Sequence, residues 1–363
     1  MRWFFPWLWG RRAPEKRPAR ACPTEPRASQ AQTEAPAELF LEGEDAQRPV
    51  NLSGGLEMIA TPLDRGVELL QEIQRLRARA NDPIERGLLK ELERGLGSGG
   101  LQLPPMPQVI LRVHRLIDSG LFNVEDLARG VELDPALATK MVGVANSPFY
   151  AGLEPAQSVR DAIVRIGMIE TRNILMAILL RARVFRVPGF QQLTQDMWEH
   201  SLAASVTSRA LAAHLKIDPD VAFLGGLVHD VGRAVILSCA GDLRRRSRGR
   251  LQPDITLLQA LMERLHAPLG AIVIESWYLG DDLAVAIAHH HQPEAAPEPV
   301  RRLAQLMAAG DELAKVLREL GEDDTPPVAQ LGAHLEPLGL SVDVAAEIMA
   351  EVREEFEELG KVL

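Results

Sequence analysis

Residues 221–237 read VAFLGGLVHDVGRAVIL, and this stretch decides how the rest of the chain is read. Apart from His229, Asp230 and Arg233, every residue in it is apolar or glycine. That pattern predicts one helix buried on all its faces, at the centre of an all-α domain. An imidazole and a carboxylate buried without partners cost several kcal/mol, so the pair implies either a hydrogen-bonded polar network or a metal ion. Gly225 and Gly226 lie one turn before His229, where they would let a neighbouring helix come close.

Outward from the pair, seven of the chain's nine histidines fall between His200 and His291. The candidates are His200, His229, Asp230, His266, His290, His291 and Asp311, spread over several expected helices. Such spreading is what a site in the core of a helical bundle requires. Ile287 and His291 are four apart, as are Met307 and Asp311, so each polar group continues an apolar, inward-packing face. Neutral imidazole together with carboxylate suits iron, manganese or zinc, and an open position on such a metal activates water for attack on phosphorus. Spacing alone leaves two readings open, a metal centre and a metal-free polar core. His114, His214 and His334 have no such company and read as ordinary residues, and His289 is the least certain of the triple 289–291.

Period-two alternation is absent and helix signals recur throughout. Residues 1–55 are read as a disordered tail, rich in Pro, Ala, Glu, Arg and Gln beyond the opening MRWFFPWLWGRR. That opening is too short to span a membrane and is broken by Pro6; beyond a sticky tail, its expected role is a weak contact with an anionic membrane surface. Residues 56–98 predict an accessory helical hairpin, with helices over 62–79 and 83–96 broken at Asn81-Asp82-Pro83. The main helical body is expected over 99–320, with caps at Asn123, Asp134 and Ser158, a break at Gly167 and separate helices over 255–265 and 268–279. The stretch GDLRRRSRGR is read as a basic loop whose Arg244, Arg245 and Arg246 are weak candidates for phosphate or an acidic partner. Residues 321–363 form a C-terminal extension ending in an acidic amphipathic helix, with Val344, Ile348, Val352 and Phe356 on one face.

Forty Lys plus Arg against fifty Asp plus Glu leave a net charge of −10, which argues against a general nucleic-acid binder. Two cysteines, Cys22 and Cys239, suit a reducing compartment and a cytoplasmic location, with peripheral contact at the inner membrane as the variant. No stretch has the roughly 18 uninterrupted apolar residues of a membrane span.

Six stretches in this order carry a family resemblance: LPPMPQVILRV, ELDPALATKMVGVANSPFY, SVRDAIVRIGMIETRNILMAI, WEHS, FLGGLVHDVGRAVIL and LAVAIAHHHQP. Over residues 101–311 the chain resembles the HD-related output domain (HDOD) family of bacterial signalling proteins. The resemblance implies a multi-helical domain whose C-terminal half is HD-like, similar to the HD and HD-GYP phosphohydrolases. It further implies a signal-transduction module that works through contacts with other signalling proteins, without catalytic activity and with no certain cofactor. By similarity to the metal-dependent HD enzymes, the seven candidates stand where metal ligands are expected, a richer set than HDOD domains generally keep. The alternative reading is therefore a metal-dependent phosphohydrolase acting on a nucleotide or other phosphoester. In it, His200, His229, Asp230 and Asp311 hold a first divalent metal, while His266, His290 and His291 hold a second or orient substrate. Arg233 stands where phosphodiesterase relatives carry lysine, and QPEAAPEP replaces a GYP motif, which argues against cyclic dinucleotide hydrolysis.

Overall fold

A computed structural model describes residues 62–97, 123–150, 152–319 and 331–363. The N-terminal segment with its Trp/Phe opening, Cys22, His114 and the LPPMPQVILRV stretch lie outside the described residues. Among the described residues all regular structure is helical.

The hairpin consists of α1 (Pro62–Arg79) and α2 (Pro83–Gly97). Leu69 and Ile73 on α1 and Leu88, Leu89 and Leu92 on α2 are buried, so these apolar stripes are the packed faces of the hairpin. Ion pairs fasten the hairpin to the body: Arg65 Nε donates to Glu275 Oε1 at 2.6 Å, and Arg264 pairs with Glu72.

Among the described residues four helices follow, α3 (Val124–Glu132), α4 (Pro135–Ala145), α5 (Val159–Ile166) and α6 (Met168–Arg183). Each expected cap is made. Asn123 accepts from the Asp126 N–H, Asp134 from the N–H groups of Ala136 and Leu137, and Ser158 and Asp161 form a reciprocal capping box. Gly167, at φ 92°, takes the left-handed conformation that separates α5 from α6. Ile169, expected on an apolar face, is 50% exposed.

The second half is built on α7 (Gln191–Ala213), α8 (Pro219–Val228), α9 (Val231–Arg246), α10 (Ile255–Ser276), α11 (Asp281–His289) and α12 (Glu298–Glu319). The short α13 (Gly332–Leu335) leads to α14 (Val342–Val362), which lays Ile348, Met349 and Val352 into the core, packing on α7. Pro219–Arg246, a run divided by the break at His229 and Asp230, and the helix Ile255–Ser276 are long and apolar enough to cross a membrane; their apolar windows are 83% and 56% buried within this domain.

Four local expectations are corrected. Residues 221–237 form two helices rather than one, because Asp230 leaves helical geometry at ψ 9° and α9 starts afresh after it. His200, which the sequence pattern places at the beginning of a helix, lies within α7. Residues 244–246 are the last turn of α9, not a loop. Residues 255–276 are a single helix carrying Pro268 in its interior. A proline there costs about 3 kcal/mol, which burial of Leu258, Leu261, Met262, Leu265, Leu269 and Val273 along the same helix offsets.

Candidate metal centre

Glycines set how closely the carrier helices approach. A Cβ at Gly226 would run into the backbone of Ala204 on α7, and one at Gly232 into the backbone of His266 on α10. A Cβ at Gly310 would strike the Ser208 hydroxyl on α7. These contacts bring α8 and α12 against α7, and α9 against α10. The helices converge on the break at His229 and Asp230.

All seven candidates meet there. His200 Nε2 lies 2.8 Å from Asp311 Oδ1, and His229 Nε2 lies 3.6 Å from both Asp311 Oδ1 and Asp230 Oδ2. Asp230 Oδ1 is 3.2 Å from His266 Nε2, which is 3.4 Å from His290 Nε2 and 2.8 Å from His291 Nε2. His266, His290 and His291 form one potential ligand group, His200, His229 and Asp311 a second, and His229, Asp230 and His290 a third, each with its ligand atoms within 4.8 Å of one another. His229, Asp230, His266, His290 and Asp311 are buried, whereas His291 lies in the turn after α11 and is exposed, so it marks the solvent side. His289 is not among these groups.

The outer ring nitrogens are tied to backbone. His229 Nδ1 is 2.8 Å from the Gly226 carbonyl, His266 Nδ1 is 2.6 Å from that of Met262, and His290 Nδ1 is 2.6 Å from that of Ile287. A carbonyl only accepts, so in each ring Nδ1 carries a proton and Nε2 faces the centre, where it is a bare acceptor whenever the ring is neutral. Burial pushes His266 down to about 4 and His290 down to about 3, so both are neutral at pH 7. The Nε2 atoms of His266 and His290 therefore face each other as acceptors, and His266 Nε2 faces Asp230 Oδ1 in the same way. His229 Nε2 and Asp230 Oδ1 are buried and have no hydrogen-bond partner.

Charge at the centre follows the same logic. At His229 burial lowers the pKa, but Asp230 and Asp311 outweigh it and the net shift is upward. Burial likewise opposes ionisation of the two carboxylates. It is overcome at Asp230 by the neighbouring His229 and Arg233, and at Asp311 by the hydrogen bond from His200 and the nearby His229, which hold both well below the usual carboxylate range. The centre thus favours positive charge. Converging acceptors, two ionised carboxylates and imidazoles fixed through their outer nitrogens fit a divalent cation of the iron, manganese or zinc type.

Each carboxylate also has a cation on its outer side. Arg233 Nε is 2.9 Å from Asp230 Oδ2, and Lys315 Nζ is 2.9 Å from Asp311 Oδ2. Lys315 was not singled out in the sequence; its four-residue spacing from Asp311 on a helix was the available signal. Arg244, Arg245 and Arg246 lie elsewhere, with Arg244 about 20 Å along the helix from Asp230 at 1.5 Å per residue. Arg244 stacks over Phe190, Arg245 pairs with Asp242, and Arg246 is 3.7 Å from Glu91.

Among the described residues the body is all-helical, and its second half gathers the candidate histidines and aspartates. The family model of the HDOD domain matches residues 103–293, more than half the chain, and the chain belongs to that family. A crystal structure of an HDOD domain protein of unknown function from Geobacter sulfurreducens is similar, with 25% identity, a TM-score of 0.55, and coverage of 77% of this chain and 98% of that one. A protein described as a candidate phosphohydrolase from Shewanella amazonensis SB2B shares the fold at 22% identity and a TM-score of 0.57, over 76% of this chain and 98% of that one. Among curated relatives, ribonuclease Y of Nitratidesulfovibrio vulgaris (strain DP4) is 25% identical over 207 residues, 56% of this chain and 31% of the relative. An uncharacterized protein of Treponema pallidum (strain Nichols) is 22% identical over 214 residues, 57% of this chain and 41% of that protein. The chain spans less than half the length of these curated relatives.

Proposed function

We propose that this chain is an HDOD signalling module whose second half is a divalent-metal centre that hydrolyses a phosphoester. The observation that carries the reading is the meeting of seven ligand-type residues around buried acceptors, His229 Nε2 and Asp230 Oδ1, that have no hydrogen-bond partner. This reverses the order of the two readings that the sequence suggested, because a scaffold that has lost its chemistry is not expected to keep so many ligand-type groups in adjoining sets. His200, His229, Asp230 and Asp311 would hold one ion, and His266, His290 and His291 a second. When bound, a divalent metal supplies polarisation of a phosphoryl oxygen and activation of water. Arg233, with its side chain 30% exposed, stands between Asp230 and solvent, and its outer guanidinium nitrogens would meet an arriving phosphate.

A second reading has its own support. Arg233 and Lys315 already neutralise the two carboxylates, so the cluster also fits a polar core in a module that acts only through protein contacts. Elemental mass spectrometry of the purified protein, beside an identically purified His229→Ala variant, separates the two. The hydrolase reading expects one or two equivalents of iron, manganese or zinc, lost in the variant, and turnover of at least one member of a phosphoester panel. RNA belongs on that panel because one matched relative is named a ribonuclease. A folded, metal-free parent leaves the protein-contact module.

A further inference from the structure

Lys315 is the cation nearest the metal-ligand candidates that neither the HD motif nor the histidine cluster accounts for. It sits on α12 one turn after Asp311, and its Nζ donates to Asp311 Oδ2 at 2.9 Å and to Glu312 Oε1 at 2.7 Å. Asp311 Oδ1 is the oxygen that faces His200 at 2.8 Å. The two oxygens of this buried carboxylate therefore have separate tasks, one held by Lys315 from outside and the other aimed inward. A carboxylate on a single methylene has a broad terminal torsion, so without an outer partner its inner oxygen is free to swing away. Glu312 in turn fixes the ammonium, which is otherwise half-exposed on a flexible stem.

We propose that Lys315 is a positioning residue for the metal centre: by holding Asp311 Oδ2, it keeps Oδ1 directed at the position shared with His200 and His229. The inference rests on the metal-centre reading above. Its sign is informative. If only net charge mattered, removing a cation beside a cation site would tighten metal binding; a positioning role predicts the opposite. Outer-shell partners of metal ligands typically contribute about 10–100-fold in affinity.

The test uses the full chain, stripped of metal and titrated with manganese against a competing chelator, with unfolding of the metal-free protein followed in parallel. Lys315→Met is expected to weaken manganese binding about tenfold or more while leaving metal-free unfolding close to wild type. Lys315→Arg, which restores a donor to Asp311, should recover most of the loss. Glu312→Gln should weaken binding by a smaller factor, and it carries the test if Lys315→Met does not fold. Unchanged or tighter binding by Lys315→Met, or by Glu312→Gln where Lys315→Met does not fold, overturns the proposal while leaving the metal centre standing. A wild-type chain that takes up neither manganese, iron nor zinc overturns the centre itself, and the role of Lys315 with it.

Discussion

The helices α3 to α6 and the helices α7 to α12 solve the problem of polar groups in opposite ways. In the first set, the capping groups pair close by along the chain, and only α6 reaches further, through Asn173 to Asp220 and Glu170 to Arg209. Ser158 and Asp161 cap each other's turn, and Thr171 Oγ1 donates to the Gly167 carbonyl one turn back. In the second set, the polar groups at the centre come from three helices, the break between α8 and α9 and the turn after α11, and find one another across the fold. His200 meets Asp311, and His266 meets both Asp230 and His291. Local pairing stabilises a helix end. Pairing across the fold leaves acceptors facing acceptors, an arrangement with a net cost unless a cation offsets it. A fold keeps such a centre for what it binds rather than for its contribution to stability.

The largest expected effect falls on Asp230. Asp230→Ala removes a shared carboxylate and leaves His229 and Arg233 without their partner, which should cost about 3–5 kcal/mol in urea unfolding of the metal-free protein. Bound metal should be lost as well. A variant as stable as its parent would mean that the polar centre is not coupled to the fold, and the contrast between the two halves would fail.

Next come two glycines inside helices, one from each half. Gly232→Ala forces a methyl group into the backbone of His266 and should destabilise the chain by about 2–3 kcal/mol. Gly130→Ala on α3 meets nothing within 4 Å and should instead stabilise it by about 0.5–1 kcal/mol through helix propensity. Matched thermal melts check the pair, and effects of equal sign would remove the distinction between a close-approach glycine and an incidental one.

The smallest loss is expected at the Ser158 cap. Ser158→Ala should cost about 1 kcal/mol and leave metal content unchanged, as read by urea unfolding and elemental analysis of the same preparation. A change in metal content would tie α5 to the centre and sharpen the comparison differently.

Much of this was legible in the residues. Asn123, Asp134 and Ser158 each mark a helix start because a short side chain reaches its own first turn, which is a local event. The seven candidates were legible as residue types on expected helices. Three features were not. The break at Asp230 was hidden because the apolar run continues on both sides of it. The continuity of α10 through Pro268 was hidden because proline's local penalty argues the other way. Lys315 was hidden because a lysine four residues after an aspartate usually marks a solvated helix face.

The sequence by itself determined the class of fold, the helix caps and the identities of the residues with metal-binding chemistry, since these depend on periodicity, local hydrogen bonds and side-chain type. Only the tertiary structure decided that His200, His229, Asp230, His266, His290, His291 and Asp311 share one site while Arg244, Arg245 and Arg246 stand apart from it. It alone also decided which nitrogen of His229, His266 and His290 faces inward. The reason is physical: convergence depends on how closely helices pack, which Gly226, Gly232 and Gly310 set through contacts with residues distant along the chain.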